Sequence, residues 1–522
     1  MKDKYSKTIL IITLLLFQCT FSQGRDYNIQ NYVKAIGKTE LITSELQKLI
    51  DKCSQSGGGT IYFPAGDYLT GTITLKDNTF LNLASGATIY GSMDIKEYPL
   101  ETKDSKSLFY ADGATNFGII GNGTINGQGE FFWRNKKKPY IRPDRLVLFV
   151  NSKRIKINDL LFTNSPNWTI EVRFCDQVWI DGISIINERD SKNTDGIDPV
   201  SSKNVFISNC YINTGDDGIC PKSIGTIPTE NLMVTNCVII SDDSALKLGT
   251  RSETFIRDAV FSNIVIKNSD LGIALFMKDG GVYDNIRFEN IQIQTTKNTS
   301  AEDAKPIGTY PIFIDIEPRD ATSKIGAIKN IYFTNIGIDS QDGHCLFLGQ
   351  PESKIENLNF FNVNFTSQQR KSYEAVNKPR GVASLTDRSN NDFSNVASYF
   401  TFVHVNGLNI NNLSINDASE NKNNERNMIW AKDTHQIVIN DFKSQQLVTN
   451  QKMSLFHLED CSLVEIKNCT PDKANLFLKV EGKDTKSILL HHNNFLHINK
   501  LIEQTKEVDV KEFKEFFNLT DK

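Results

Sequence analysis

The chain has 522 residues, 39% of them hydrophobic and 23% charged, and its formal net charge is −4. These proportions exclude a disordered or membrane-embedded chain and leave a large globular protein with ample core. Slight overall acidity also argues against nucleic acid as the partner.

The first residues read as an export signal. Lys2, Lys4 and Lys7 precede the apolar run Ile9–Phe17, and Thr20-Phe21-Ser22 supplies small residues three and one before a cut. The run is too short to span a bilayer. We therefore expect a signal peptide over 1–22 and a single mature domain over 23–522, secreted or periplasmic, with a lipid anchor through Cys19 as the alternative. Eight cysteines would remain: Cys53, Cys175, Cys210, Cys220, Cys237, Cys345, Cys461 and Cys469. Export permits disulfides, but Cys210 and Cys237 fall 27 apart at one point of a repeat, as buried stacked thiols would. No C-x-x-C pair with metal spacing occurs.

Next comes Glu40–Cys53, with Ile42, Leu46, Leu49, Ile50 and Cys53 at helical spacing and Gly57-Gly58-Gly59 ending the run. A helix here would cover the first open edge of the sheet that follows. Short alternating strands divided by Gly and Asn turns succeed it. From Arg154 a repeat is plain: copies begin at 154, 177, 204, 231, 258, 285, 330 and 357, and later ones at Gly407, Gln436 and Leu463. A period near 27 with β-branched apolar patterning predicts an all-β solenoid of stacked parallel strands. Asn209, Asn236, Asn263 and Asn290 keep this period, as do Asn335 and Asn362. That register predicts an amide ladder at a turn with left-handed backbone. The long steps from 285 to 330 and from 357 to 407 imply insertions at about Thr296–Lys329 and Thr366–Val405. The tail from Ile498 to Lys522 is expected to cap the C-terminal end.

The chemistry is expected in Asp190–Lys247. NTDGIDP (Asn193–Pro199), GDDGICP (Gly215–Pro221) and DDSALKL (Asp242–Leu248) recur in register, each opening with carboxylates. Stacked strands lie about 4.8 Å apart, so Asp195 and Asp217 should meet one coil apart, with Asp216 beside them. Carboxylates that close cannot all ionise normally, and a protonated acid beside an ionised base is what cleavage of a glycosidic bond requires. Calcium binding, or mere solvated turn acids, are the competing readings.

These motifs, with GNGTINGQG (Gly121–Gly129) and SPNWTI (Ser165–Ile170), resemble the polygalacturonase-type glycoside hydrolases, family 28. The resemblance runs from GGGTIYFPAGDYLTGTI to about Asn290. It implies a right-handed parallel β-helix and hydrolysis of polysaccharide with inversion at the anomeric carbon. Asp216 would be the general acid, and Asp195 and Asp217 would activate water; no cofactor and no metal are implied. Two departures matter. DSALKLGT (Asp243–Thr250) stands where the family has GHG-x-x-x-G-S, which puts Ser244 in place of the histidine; all seven histidines lie at or beyond His344. Ala274-Leu275-Phe276 stands where the family has R-I-K. Lys247 and Lys278 are nearby candidates to replace the lost cations, and Lys247 should stack above Cys220. Asn193, Asp198, Asp243 and Arg251 complete the expected substrate contacts, although Lys247 could instead pair with Asp198 or Asp243. The segment Phe131–Arg145 adds Arg134, Lys136, Lys137, Lys138, Arg142 and Arg145 beside Trp133 and Tyr140, which suits an anionic sugar chain.

The expected function is thus an exported, monomeric glycoside hydrolase acting on an acidic or modified polysaccharide, with plain polygalacturonate not the substrate. A polysaccharide lyase using calcium and Lys247 as base, or a non-catalytic carbohydrate-binding β-helix, are the alternatives.

Overall fold

Alternating apolar residues with a 27-residue recurrence leave the chain one economical way to bury them: each coil lays its strands on those of the coil before. In the computed structural model this gives a right-handed parallel β-helix. The structure describes residues 25–520 apart from 35, 102–105, 135–140, 297–308, 342, 369–392, 394–395, 419–425 and 445–452. The proposed signal peptide, Lys136, Lys137, Lys138 and Tyr140 therefore lie outside the described residues.

Register is near-perfect across the repeat. Ile155 pairs with Val178, Val178 with Val205, Val205 with Leu232 and Leu232 with Ala259, all parallel. Inward side chains form columns, and Phe261, Phe288, Phe333 and Phe360 stack at 5.0, 5.2 and 5.2 Å between ring centres. Outward positions of the same strands alternate with these, as the pleat demands.

The expected amide ladder is present. Asn236 donates to Asn209 at 3.3 Å, Asn290 to Asn263 at 3.2 Å, Asn335 to Asn290 at 2.9 Å and Asn362 to Asn335 at 2.8 Å. All have φ between 55° and 57°, a region where asparagine is favoured because its amide can bond locally. A second ladder, not anticipated, runs through the residues that open each repeat. Asn231 donates to Asn204, Asn285 to Asp258, Asn330 to Asp284 and Asn357 to Asn330. Asn204, Asn231, Asp258, Asn285, Asn330 and Asn357 are left-handed too; Asp284, which precedes an opener, is not.

The helix α1 spans Thr43–Gln55 and buries Leu46, Leu49, Ile50 and Cys53. It starts later than the sequence spacing suggests, because 37–41 is drawn into a strand that pairs with Gly66–Thr70. The helix covers the edge as expected, and Gln47 does so by mimicking a strand. Its amide accepts from Thr74 N at 2.8 Å and donates to Thr74 O at 3.0 Å. At the other end, Ile498–Gln504 and Phe513–Phe516 pair with the preceding strands, so the tail continues the winding as a last coil. The eight cysteines of the described residues are all buried and none forms a disulfide. No helix of the described residues is long and apolar enough to cross a membrane.

The outward face that matters is built from six strands: β1 (Arg145–Val150), β2 (Trp168–Arg173), β3 (Ile197–Val200), β4 (Ser244–Leu248), β5 (Leu271–Met277) and β6 (Tyr310–Ile316). β1, β2 and β3 pair in order. The single-residue bridges Ile197–Ile219 and Ile219–Leu246 carry the register to β4, and β5 and β6 follow.

Because Phe333 is packed on both faces by rings of adjacent coils, Phe333→Ala should cost about 3–5 kcal/mol. A lowered denaturant midpoint by circular dichroism, with the helix α1 substitution Lys48→Ala as a neutral control, checks this.

Candidate active site

Two glycines set the spacing of the acids. A Cβ on Gly196 would lie 2.4 Å from the Gly218 carbonyl oxygen, and one on Gly218 would lie 2.5 Å from that of Ala245. Only glycine lets these backbones approach so closely. The residues just before them, Asp195 and Asp217, are thereby stacked, with Gly196 N donating to Asp217 O at 2.9 Å. Oxygens of Asp216, Asp217 and Asp243 come within 4.8 Å of one another, and Asp195, Asp217 and Cys220 form a second such group.

Asp216 is fixed from the main chain outward. Its carbonyl accepts from the hydroxyls of Thr214 and Ser241, both at 2.7 Å. Its carboxylate accepts from the backbone N–H of Asn193 and of Asp217, both at 3.0 Å. Burial pushes its pKa well up, reinforced by Asp195, Asp217 and Asp243. Asp195 is raised for the same reason, burial first and Asp198 next, against the opposing Lys222. Among the described residues Asp216 makes no ion pair, whereas Lys247 sits 2.7 Å from Asp217.

Lys222 is the site residue that sequence reading missed. It is buried, its Nζ lies 3.4 Å from Asp195 and bridges to Asp198, and it packs 4.1 Å from the centre of the Trp168 ring. Arg145 faces the same ring at 3.8 Å and pairs with Glu171, to which Arg173 also binds at 2.6 Å. Although burial opposes it, Lys222 is held firmly charged by Asp198 and Asp195. Burial raises Asp198 to about 6 despite that lysine.

The expected substrate residues divide. Asn193 is exposed at the rim, with its side-chain oxygen accepting from Arg142 at 2.9 Å. Asp243 and Lys247 are half-buried within the cluster, and Lys247 stacks above Cys220 as expected. It pairs with Asp217, however, and not with Asp198 or Asp243, because its side chain leans one coil back along the groove. Asp198 is wholly buried under Lys222, and Ser244 is wholly buried with its hydroxyl donating to Asp243 at 2.9 Å. Arg251 is exposed beyond the end of β4. Lys278 is 2% exposed and bound to Glu317 at 2.9 Å and Asp315 at 3.3 Å. This corrects the expectation that it replaces a lost cation: its charge is consumed internally.

The acids could be thought a calcium site, since their oxygens converge. A lysine ammonium already stands among them, 2.7 Å from Asp217, and hard-cation sites do not place a cation there. The donor set does not fit a metal. What the arrangement can do is hold a proton on Asp216 beside a carboxylate, Asp217, that a lysine ammonium grips.

Set beside known proteins, the chain matches Glycosyl hydrolases family 28 over residues 53–386. It belongs to that family. A "Probable polygalacturonase" of Vitis vinifera is 32% identical over 275 residues, covering 48% of this chain and 56% of that one. An endo-polygalacturonase of Pectobacterium carotovorum is 26% identical over 315 residues, 54% of this chain and 77% of its own. The chain thus spans little more than half of the Vitis vinifera relative. In fold it is similar to an exopolygalacturonase from Thermotoga maritima, with a TM-score of 0.58 at 21% identity over 66% of this chain and 87% of that one.

Glu317 yields a pH prediction. Burial, then Asp315, raises it from its ordinary 4.5 to about 7 against the opposing Lys278. A carboxyl raised on folding binds extra protons in the native state, so its contribution is full below pH 4.5 and is lost as pH rises through about 7. Denaturation midpoints should therefore fall across that window, and Glu317→Gln should flatten the fall.

Proposed function

We propose that this protein is an exported inverting glycoside hydrolase acting on an acidic or otherwise modified polysaccharide, of pectin-like, rhamnogalacturonan-like or algal type. Asp216 donates a proton to the glycosidic oxygen as the bond breaks. Water, held between Asp195 and Asp217, attacks the anomeric carbon from the opposite face and gives its one proton to one of that pair.

One contrast carries this reading. Asp216 is pushed well up by burial and three neighbouring acids and lacks an ion pair among the described residues, whereas adjoining Asp217 is pinned by Lys247. Environments that drive neighbouring carboxyls apart are the mark of an acid–base pair. Lys222 opposes the raising of Asp195, but burial and Asp198 outweigh it, so the contrast lies between Asp216 and Asp217. Ser244 does not stand in for a histidine, since its hydroxyl is spent on Asp243.

The lyase reading is weakened by the same charges. Lys247 would have to lose its proton to act as base, yet despite burial it is held well above its ordinary range by Asp217 and Asp243. A non-catalytic role leaves the raised pKa of Asp216 without a purpose. Export, a monomeric state and a single domain are part of the proposal.

Asp216→Asn should lower turnover about 10³-fold with the β-sheet spectrum unchanged. The substrate is found by screening acidic plant and algal polysaccharides, with products read by mass spectrometry. Proton NMR should show the inverted anomer first, with no ultraviolet absorbance from an unsaturated product. Undiminished activity in Asp216→Asn, or an unsaturated product, would reject the assignment.

A further inference from the structure

The column of positions that carries the acids is open on one side of them and shut on the other. Parallel pairing runs it from Arg145 to Trp168, then through Asp195, Asp217 and Ser244 to Leu271 and Tyr310. Before the acids, Trp168 and Arg145 are half-buried. Lys192 and Asn193 stand exposed at the rim there, and Arg142 donates to both. After the acids, Ser244, Leu271 and Tyr310 are wholly buried.

The shut side is built of apolar side chains on the outer face of the sheet. A strand with one face in water alternates, as Asp176–Asp181 does. In β5 and β6, by contrast, every residue is buried. Ile273, Leu275, Ile312 and Ile314 belong to the core inside the coils. Leu271, Phe276, Tyr310 and Phe313 belong to a second cluster outside it, which continues through Leu346 and Val403, and none of these six is more than 2% exposed. Phe393 and Val396, from the second insertion expected in the sequence, pack against this cluster, with the Phe393 ring 6.3 Å from that of Trp430. The chain itself supplies the burial, so this face is filled and offers no platform for sugars to stack on. Leu271 and Tyr310 lie two and three coils past Asp217, about 10 and 14 Å along the stack. On the other side, a smaller covered patch of Tyr110, Leu148 and Val150 lies further along the strands and leaves Arg145 and Trp168 reachable.

A polymer crossing the acids in both directions would have to displace the apolar filling beyond Ser244. Its hydroxyls would find no partners there, and burying a polar group without one is costly. Toward Arg145 the surface is polar, and guanidinium groups suit the carboxylates of an acidic chain. Taking the cluster as a glycoside hydrolase centre, we propose that the enzyme is exo-acting: the polymer lies across Trp168 and Arg145, and only its terminal residues reach past Asp217. Each turnover adds one water across the bond held at the acids and frees a short product of fixed length.

The test uses the full-length wild-type protein on whichever polysaccharide it cleaves in the screen of acidic plant and algal chains. Products are sized by mass spectrometry while most of the polymer is still intact. A short product of a single length should be present from the first sample, with the viscosity nearly unchanged. A ladder of intermediate lengths with an early fall in viscosity would overturn the proposal. Oligomers of the same polysaccharide, carrying a bulky aromatic label at the reducing end or at the non-reducing end, probe the closed side. A label at one end should abolish cleavage and a label at the other should leave it intact, because only one end enters. Cleavage of both labelled forms, or of neither, would overturn the one-sided closure. Failure to cleave any polysaccharide of the screen would overturn the proposal together with the hydrolase reading on which it rests.

Discussion

The site depends on the parallel backbone ladder between coils. Gly196 N and Ile197 N donate to Asp217 and Gly218, and Gly218 N and Ile219 N donate in turn to Ser244 and Ala245, all at 2.9–3.0 Å. These bonds fix which side chain lies over which, with no freedom to slip, since a one-residue shift would turn every inward isoleucine outward. The aspartates are consequently held together whether or not they repel. Folding of the whole stack imposes an electrostatic arrangement that three free carboxylates would never adopt, and the raised pKa of Asp216 is the result.

The surrounding cations make that imposition tolerable. Lys247 and Lys222 each sit on one of the acids, and Trp168 lies against both Lys222 and Arg145. Buried charges in proteins survive when paired and hydrogen-bonded. Here the pairing is incomplete by design of the sequence, because Asp216 is left to titrate.

Much of this could be read from the chain alone, for a definite reason. A coil repeat converts sequence distance into spatial contact, so Asp195 over Asp217, Lys247 over Cys220 and the asparagine column followed from counting. What escaped was contact that counting does not encode. Lys222 follows Pro221 in a stretch joined to its neighbours only by isolated bridges, and it reads as a loop residue. Lys247 reaches diagonally to Asp217, across 30 positions and not 27, because a long side chain leans along the strand. Lys278 reads as available from the sequence because its partners, Asp315 and Glu317, lie within the 45-residue step, where the period breaks. The second ladder is legible in the sequence, since nearly all its members open repeats.

Gln47 carries a wider consequence. A solenoid of parallel strands ends in bare donors and acceptors, the template on which a second chain could continue the winding into a fibre. By filling both bonds of Thr74 with one side-chain amide, Gln47 blocks elongation at the very start of the sheet that bears the acids. An architecture of indefinite growth is thus closed at Thr74 by a single side chain.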